Sequence, residues 1–318
     1  MKKIGLILSS FLLLSMVSCS SDKAPQTAET PYIDTGVNTE AWVEIPAGNF
    51  LKGQHRHETM IEKPYEIMVT DVTNEQYARF LNEALVKGAI KIAADTICGY
   101  YPGDPFDGFK HEFKITAGDK LYMNLKEPGI RITFDGKKFG VVKGFENHPV
   151  TFVTWFGANA YAQFYGWRLP SENEWEKAAR GTDTRTFPWG EEISPNIANY
   201  ASSRTLIDKI FGKRTTTTPV GFYNGKTYEG FETKDNRSPY GLYDMAGNVW
   251  QWCGDDYPDI HYRYLRGGSH TNYEYNLFVW ARNSAGPDFY SMYFGFRCAR
   301  DVAPKAVERD DTQKGSEK

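Results

Sequence analysis

The chain is 318 residues long, 41% hydrophobic and 15% aromatic, with a formal net charge of −3 at neutral pH. That much apolar side chain supports a buried core and excludes a wholly disordered chain, while the slightly acidic balance gives no basis for a nucleic-acid partner. Beyond the N-terminal segment no run of about 20 apolar residues occurs, so the body of the chain offers no membrane-spanning helix.

The chain opens on Met1, Lys2 and Lys3, followed by an apolar run from Ile4 to Val17 that is too short to span a bilayer. Ser18 and Cys19 end it, the pattern of a secretory signal. A cysteine directly after the small residue resembles a bacterial lipobox, which would make Cys19 the lipidated first residue of the mature protein; the alternative is an ordinary signal with an incidental cysteine. Each buried methylene of a lipid contributes roughly 0.8 kcal/mol, and several chains anchor stably. The expectation is therefore a lipoprotein of the cell envelope, periplasmic or surface-facing, with signal 1–19, a polar tether 20–40, a folded part 41–301 and a charged tail 302–318. Cys98, Cys253 and Cys298 are the other cysteines; none has CxxC or Cys/His metal spacing, and their odd number leaves at least one thiol unpaired within the chain.

Residues 41–51 read as a strand, a Pro-Ala-Gly turn and a second strand, and 65–69 as another strand. Thr73 and Gln76 then make a capping box for a helix whose apolar face is Tyr77, Phe80, Leu81, Ala84 and Leu85. Residues 87–147 are less regular, an elaboration of the same domain with a hairpin turning at Asp135-Gly136. His148-Pro149 leads an expected strand, Thr154 starts a second helix stopped by Gly166, and Ser171 with Glu174 caps a third carrying Trp175. From 194 to 237 the chain is polar, threonine-rich and read as loop. His111 and His148 each stand alone and read as surface or hydrogen-bonding histidines, and His55 and His57 flank Arg56 in a polar turn.

Two dense motifs close the chain. In PYGLYDMAGNVWQW, Asp244 offers a carboxylate, Gly247 and Val249 offer carbonyls at a tight turn, and Gln251 offers an amide oxygen. Such donors suit the hard cation Ca²⁺; the alternative is an Asx-turn with Gln251 exposed. Residues 264–300 begin at the Gly267-Gly268 turn, where only glycine takes positive φ without penalty, and are crowded with aromatics, of which Trp280, Phe294 and Phe296 are core candidates. Arg266, Arg282 and Arg297 can fork onto carboxylates or stack on rings.

In order along the chain, WVEIPAGNFLKG, DVTNEQYARFLNE, HPVTFVTWFGANAYAQFYGWRLPSENEWEKAARG, FPWG, SPYGLYDMAGNVWQW, LRGGS and PDFYSMYFGFRCA together resemble the sulfatase-modifying-factor family, the formylglycine-generating enzymes and their relatives. The resemblance implies one loop-rich α+β domain related to C-type lectins. It also implies a structural Ca²⁺ at Asp244, Gly247, Val249 and Gln251, weakened because the family usually has glutamate at the last position. It breaks at catalysis. The oxidising enzymes hold Cu(I) between two thiolates after Gly-Gly-Ser, and soft Cu(I) needs such ligands; here the positions nearest them are Asn272 and Leu277, so no copper is expected. Cys298 matches a structural cysteine whose usual partner falls at Ala179, leaving it free or paired with Cys253. An iron site drawn from His261, His270 and Asp255, Asp256 or Asp259 is a further alternative, although related sulfoxide synthases take their iron histidines mainly from a helical domain absent here.

The preferred expectation is a membrane-anchored, non-catalytic member that keeps the fold to bind or scaffold a protein or peptide partner, as the resemblance implies for gliding, secretion and surface-ligand lipoproteins. Tyrosine and tryptophan give contact area at low entropic cost, and Asn and Ser add adaptable hydrogen bonds. The expected contact groove is Trp250, Ser269, His270, Asn272, Tyr273, Tyr275, Asn276 and Tyr290, where the family's enzymes hold substrate peptide. The alternatives are a formylglycine-generating oxidase acting on sulfatase cysteine and a non-heme iron oxidase.

Overall fold

The computed structural model describes residues 30–106, 114–212, 217–256 and 261–302. The signal segment with Cys19, most of the tether, the tail beyond 302, His111 and Asp259 lie outside them. β1 (Trp42–Ile45) and β2 (Gly48–Lys52) are separated by the expected turn, and β3 (His57–Ile61) folds back antiparallel on β2. β4 (Tyr65–Met68) pairs antiparallel with β1.

α1 (Asn74–Val86) starts at the expected capping box: Thr73 Oγ1 accepts the Gln76 N–H at 3.2 Å, and Gln76 Oε1 accepts the Thr73 N–H at 2.9 Å. Its buried face carries Tyr77, Phe80, Leu81 and Ala84. β5 (Lys91–Ala93), β6 (Thr96–Tyr101) and β7 (Gly118–Asn124) form an antiparallel sheet, followed by the hairpin β8 (Ile132–Phe134) and β9 (Phe139–Val141). At the hairpin turn Asp135 Oδ1 accepts the N–H groups of Lys137 and Lys138, both at 2.8 Å.

The strand expected after His148 does not form. Pro149 has no N–H for a ladder, Phe152 sits at φ 58°, and the segment makes only isolated bridges, Thr73 with Pro149 and Met123 with Val153. α2 (Trp155–Phe164) is capped by Thr154, and α3 (Glu172–Arg180) by the Ser171–Glu174 box. The polar stretch read as loop holds α4 (Arg204–Phe211), which buries Ile207 and Phe211 one turn apart, and the short hairpin β10 (Thr227–Tyr228) and β11 (Phe231–Glu232).

The functional segment lies in the sheet of β12 (Trp250–Asp256), β13 (Arg263–Arg266), β14 (Arg282–Ala285) and β15 (Phe294–Gly295), ordered β14-β13-β12-β15. β16 (Ala299–Asp301) then joins the free edge of β4, so both ends of the described chain share one sheet. The architecture is mixed α+β, with short strands and loops predominating and few helices. One core cluster gathers Tyr77, Tyr161, Trp252 and Phe296; a second gathers Ile67, Trp175, Leu242 and Cys253. Cys98, Cys253 and Cys298 are free thiols, the last two fully buried in different clusters. No described helix is long and apolar enough to cross a membrane.

Candidate functional site

β13 is buried along its length, and the two arginines at its ends are held inside the protein. Arg266 donates to Glu172 Oε1 at 3.0 Å and Glu176 Oε2 at 2.7 Å, and to the carbonyls of Val279 and Trp280. Both carboxylates come from α3, so this network clamps the helix to the sheet. Paired carboxylates and carbonyls at both terminal nitrogens offset the cost of burying this guanidinium. The following Gly267 and Gly268 have φ 95° and 73°; a Cβ on Gly268 would stand 2.9 Å from the Asn276 carbonyl oxygen. Positive φ and backbone contact together require glycine there.

That turn delivers Ser269 and His270 into the interior. Ser269 donates from its N–H and its hydroxyl to Asn272 Oδ1, at 2.9 and 2.8 Å. The His270 N–H and Nδ1 both lie 3.0 Å from the Asn248 carbonyl oxygen, which makes Nδ1 the protonated nitrogen. Burial lowers its pKa to about 4, against the hydrogen bond to Asn248, so the ring is neutral. A short 3₁₀ turn over Glu274–Leu277 then lifts Tyr273 and Tyr275 into solvent, 63% and 59% exposed, with their rings stacked 6.3 Å apart at 25°. Asn272 and Asn276 are half-buried beside them.

The expected groove is corrected accordingly. Trp250, Ser269 and His270 are buried and offer no surface to a partner. Tyr290 is half-buried and donates its hydroxyl proton to Glu127 Oε1 at 2.8 Å. Only Tyr273 and Tyr275, with the edges of the two asparagines and Tyr290, can meet a partner directly.

A cavity of about 520 Å³, within the size range of small-molecule sites, lies elsewhere in the segment. Its walls include Lys114, Lys120, Phe156, His261, Tyr262 and Phe289. Asp104 stands behind it, 3.4 Å from His261 Nδ1 and 2.5 Å from Arg263 Nη2, and accepts the Tyr101 hydroxyl. Sequence reading missed this wall because the lysines and Asp104 come from the irregular 87–147 stretch. The alternation of His261 and Arg263 at the start of β13 was the available signal.

The sequence profile described as the sulfatase-modifying factor enzyme 1-like domain (FGE-sulfatase) matches residues 28–302. The chain belongs to this family. It is 30% identical to the formylglycine-generating enzyme of Streptomyces coelicolor over 83% of this chain and 90% of that one. It is 28% identical to the inactive C-alpha-formylglycine-generating enzyme 2 of Bos taurus, over 81% and 87%. A third relative, 32% identical over 82% of this chain, is named serine/threonine-protein kinase pkn1 of Chlamydia caviae; the chain spans 38% of that protein's length. Among solved structures, CarF superposes with a TM-score of 0.52 at 21% identity, over 82% of this chain and 98% of CarF, a likeness of fold. The FGE-sulfatase family thus contains both an enzyme and an inactive form among the relatives of this chain.

Measured against the family's metals, the donor sets do not fit. At the positions the resemblance matches to the copper thiolates, Asn272 presents an amide oxygen already taken by Ser269, and Leu277 a fully buried alkyl chain. At the expected Ca²⁺ position the Asp244 and Gln251 side-chain oxygens are already engaged by protein donors. Asp244 accepts from the Gly221 N–H at 2.6 Å and Asn236 Nδ2 at 3.1 Å. Gln251 is fully buried, not exposed; its Oε1 accepts from Trp175 Nε1 at 2.7 Å and Arg297 Nε at 2.8 Å, while its Nε2 donates to the Asp244 carbonyl at 2.8 Å. A guanidinium therefore stands against the very oxygen a calcium ion would need. Of the iron candidates, His261 faces Asp104, His270 faces Asn248, and Asp255 accepts the Glu172 N–H. Among the described residues no three His, Cys, Asp or Glu side chains converge.

Proposed function

We propose that this FGE-sulfatase chain is a non-catalytic binding module, anchored in the cell envelope through Cys19, that captures a protein or peptide partner on the face carrying Tyr273 and Tyr275. The observation that carries this reading is the combination on one loop. Amide and alkyl side chains occupy the positions that the resemblance matches to the copper ligands, and two stacked tyrosines, Tyr273 and Tyr275, stand in solvent just past the Gly267-Gly268 turn. Large aromatic rings kept in water without a folding role are the composition of a contact surface. Beneath the loop, Ser269 bonds Asn272, His270 bonds the Asn248 carbonyl, and Arg266 pairs with Glu172 and Glu176.

The test is site-specific photo-crosslinking from position 275 in intact cells, with detergent-phase partition reporting the anchor. A defined adduct that disappears in Tyr273→Ala supports the reading. Absence of any adduct, or one indifferent to Tyr273, removes it.

A further inference from the structure

A second, smaller cavity of about 180 Å³ lies between the β2–β3 turn, the loop after α3 and the segment entering β14; Arg56, Arg180, Thr184, Thr186, Glu191 and Trp280 line it. It is smaller than the roughly 300–1,000 Å³ that accommodates a whole small molecule, so it suits a single functional group. Two guanidinium groups, Arg56 and Arg180, and one carboxylate, Glu191, stand in its lining. Glu172 is shared by Lys52 at 2.8 Å, Arg266 at 3.0 Å and Arg282 at 3.6 Å. Glu176 is shared by Arg266 at 2.7 Å and Arg180 at 3.3 Å, and also accepts the Gly53 N–H at 2.6 Å. Lys52, Arg180, Arg266 and Arg282 thus divide the carboxylates of Glu172 and Glu176, which leaves neither acid free to offset Arg56.

Arg180 is 1% exposed. Its Nη1 donates to the carbonyls of Leu51 and Gly53, but its buried Nε has no hydrogen-bond partner among the described residues. A buried, uncommitted guanidinium N–H is costly unless something accepts from it. Burial lowers the Arg180 pKa, and repulsion from Arg266 and Arg56 adds to that against the pull of Glu176 and Asp183. Arg56, exposed and held at φ 58°, brings a second guanidinium to the rim. The acids nearby are engaged: Glu191 takes the Thr186 N–H and hydroxyl, and Asp183 pairs with Arg185 at 2.6 Å.

We propose that this cavity binds one tetrahedral oxyanion, a phosphate or sulfate group, between Arg180 and Arg56 with the Thr184 hydroxyl as a further donor. Donors arriving from the β2–β3 turn, from α3 and from the loop after it suit an acceptor with more than two oxygens, and guanidinium forks are the favoured partners of such groups.

The test is calorimetric titration of the full chain with sodium phosphate and with sodium sulfate at constant ionic strength, sodium chloride serving as control. The expected result is saturable one-to-one binding of phosphate or sulfate that weakens about tenfold or more in Arg56→Gln and in Thr184→Ala, with unchanged melting temperatures, since both side chains are exposed. No saturable heat, or equal affinity in the wild type and Arg56→Gln, overturns the proposal. Phenyl phosphate separates the sources: affinity equal to phosphate identifies a group carried on a larger molecule, and its exclusion identifies the free ion.

Discussion

The Arg297 guanidinium donates through Nε to Gln251 Oε1 at 2.8 Å, at the point where the family resemblance led us to expect calcium. The same guanidinium donates to the carbonyls of Met68, Val69 and Tyr243 and pairs with Asp71 at 3.2 Å, all without exposure. A protein cation thus ties β12, the Asp244 turn and the end of β4 together. Removing one partner of a buried charge pair leaves the other uncompensated. Arg297→Ala should therefore lose about 3–5 kcal/mol of unfolding free energy in urea at pH 8, whereas a loss below about 1 kcal/mol would mean that the guanidinium is not holding these elements. Calcium or a chelator should leave the wild-type melting temperature unchanged.

Two buried histidines set an acid-side limit on stability. Burial lowers His148 to about 3 and His270 to about 4, while an unfolded histidine titrates near 6.5. Between about 6.5 and those values the unfolded chain binds more protons, so this contribution is complete above 6.5 and is lost as pH falls. Each histidine can cost up to about 1.4 kcal/mol per pH unit, or about 2 kcal/mol by pH 5. Asp71, raised to about 7 chiefly by burial, contributes the opposite slope, so the readout is a difference between proteins. His270→Gln should lose about 2 kcal/mol less than the wild type between pH 7 and pH 5; equal losses would show that His270 takes its proton while folded.

Helix starts were legible because they are local. Ser171 accepts the Glu174 N–H at 3.2 Å, and Glu174 Oε2 accepts the Ser171 N–H at 2.7 Å. Ser171→Ala should cost about 1 kcal/mol, measured by denaturant unfolding; no loss would assign the start of α3 to tertiary packing alone.

The Thr73 box, the Asp135-Gly136 hairpin and the α+β class were readable for the same reason: each depends on residues a few positions apart. α4 was not, although Ile207 and Phe211 are one turn apart and Arg204 pairs with Asp208 at 2.8 Å, because eight residues amid polar and threonine-rich sequence give a weak period. The site was harder still. Arg266 meets Glu172 and Glu176 across 94 and 90 residues, and Arg297 meets Asp71 across 226. No spacing rule relates such partners, and the burial of Trp250, Ser269 and His270 follows from that packing.

Tyr273 and Tyr275 stack on each other in solvent, so the double substitution Tyr273→Ala with Tyr275→Ala should change the unfolding free energy by no more than about 0.5 kcal/mol, as is typical of surface changes, while reducing crosslinked partner at least tenfold. A large loss of stability would place the rings in a folding role.

Binding without oxidation is the claim on which the account turns, and it is tested most directly by incubating the purified chain with Cu(I), oxygen and a cysteine-containing sulfatase peptide, and measuring aldehyde by mass spectrometry. The account predicts no aldehyde above that formed by copper alone, because no thiolate stands at Asn272 or Leu277. Formation of aldehyde at an enzymatic rate, abolished by a substitution within 264–300, would contradict it.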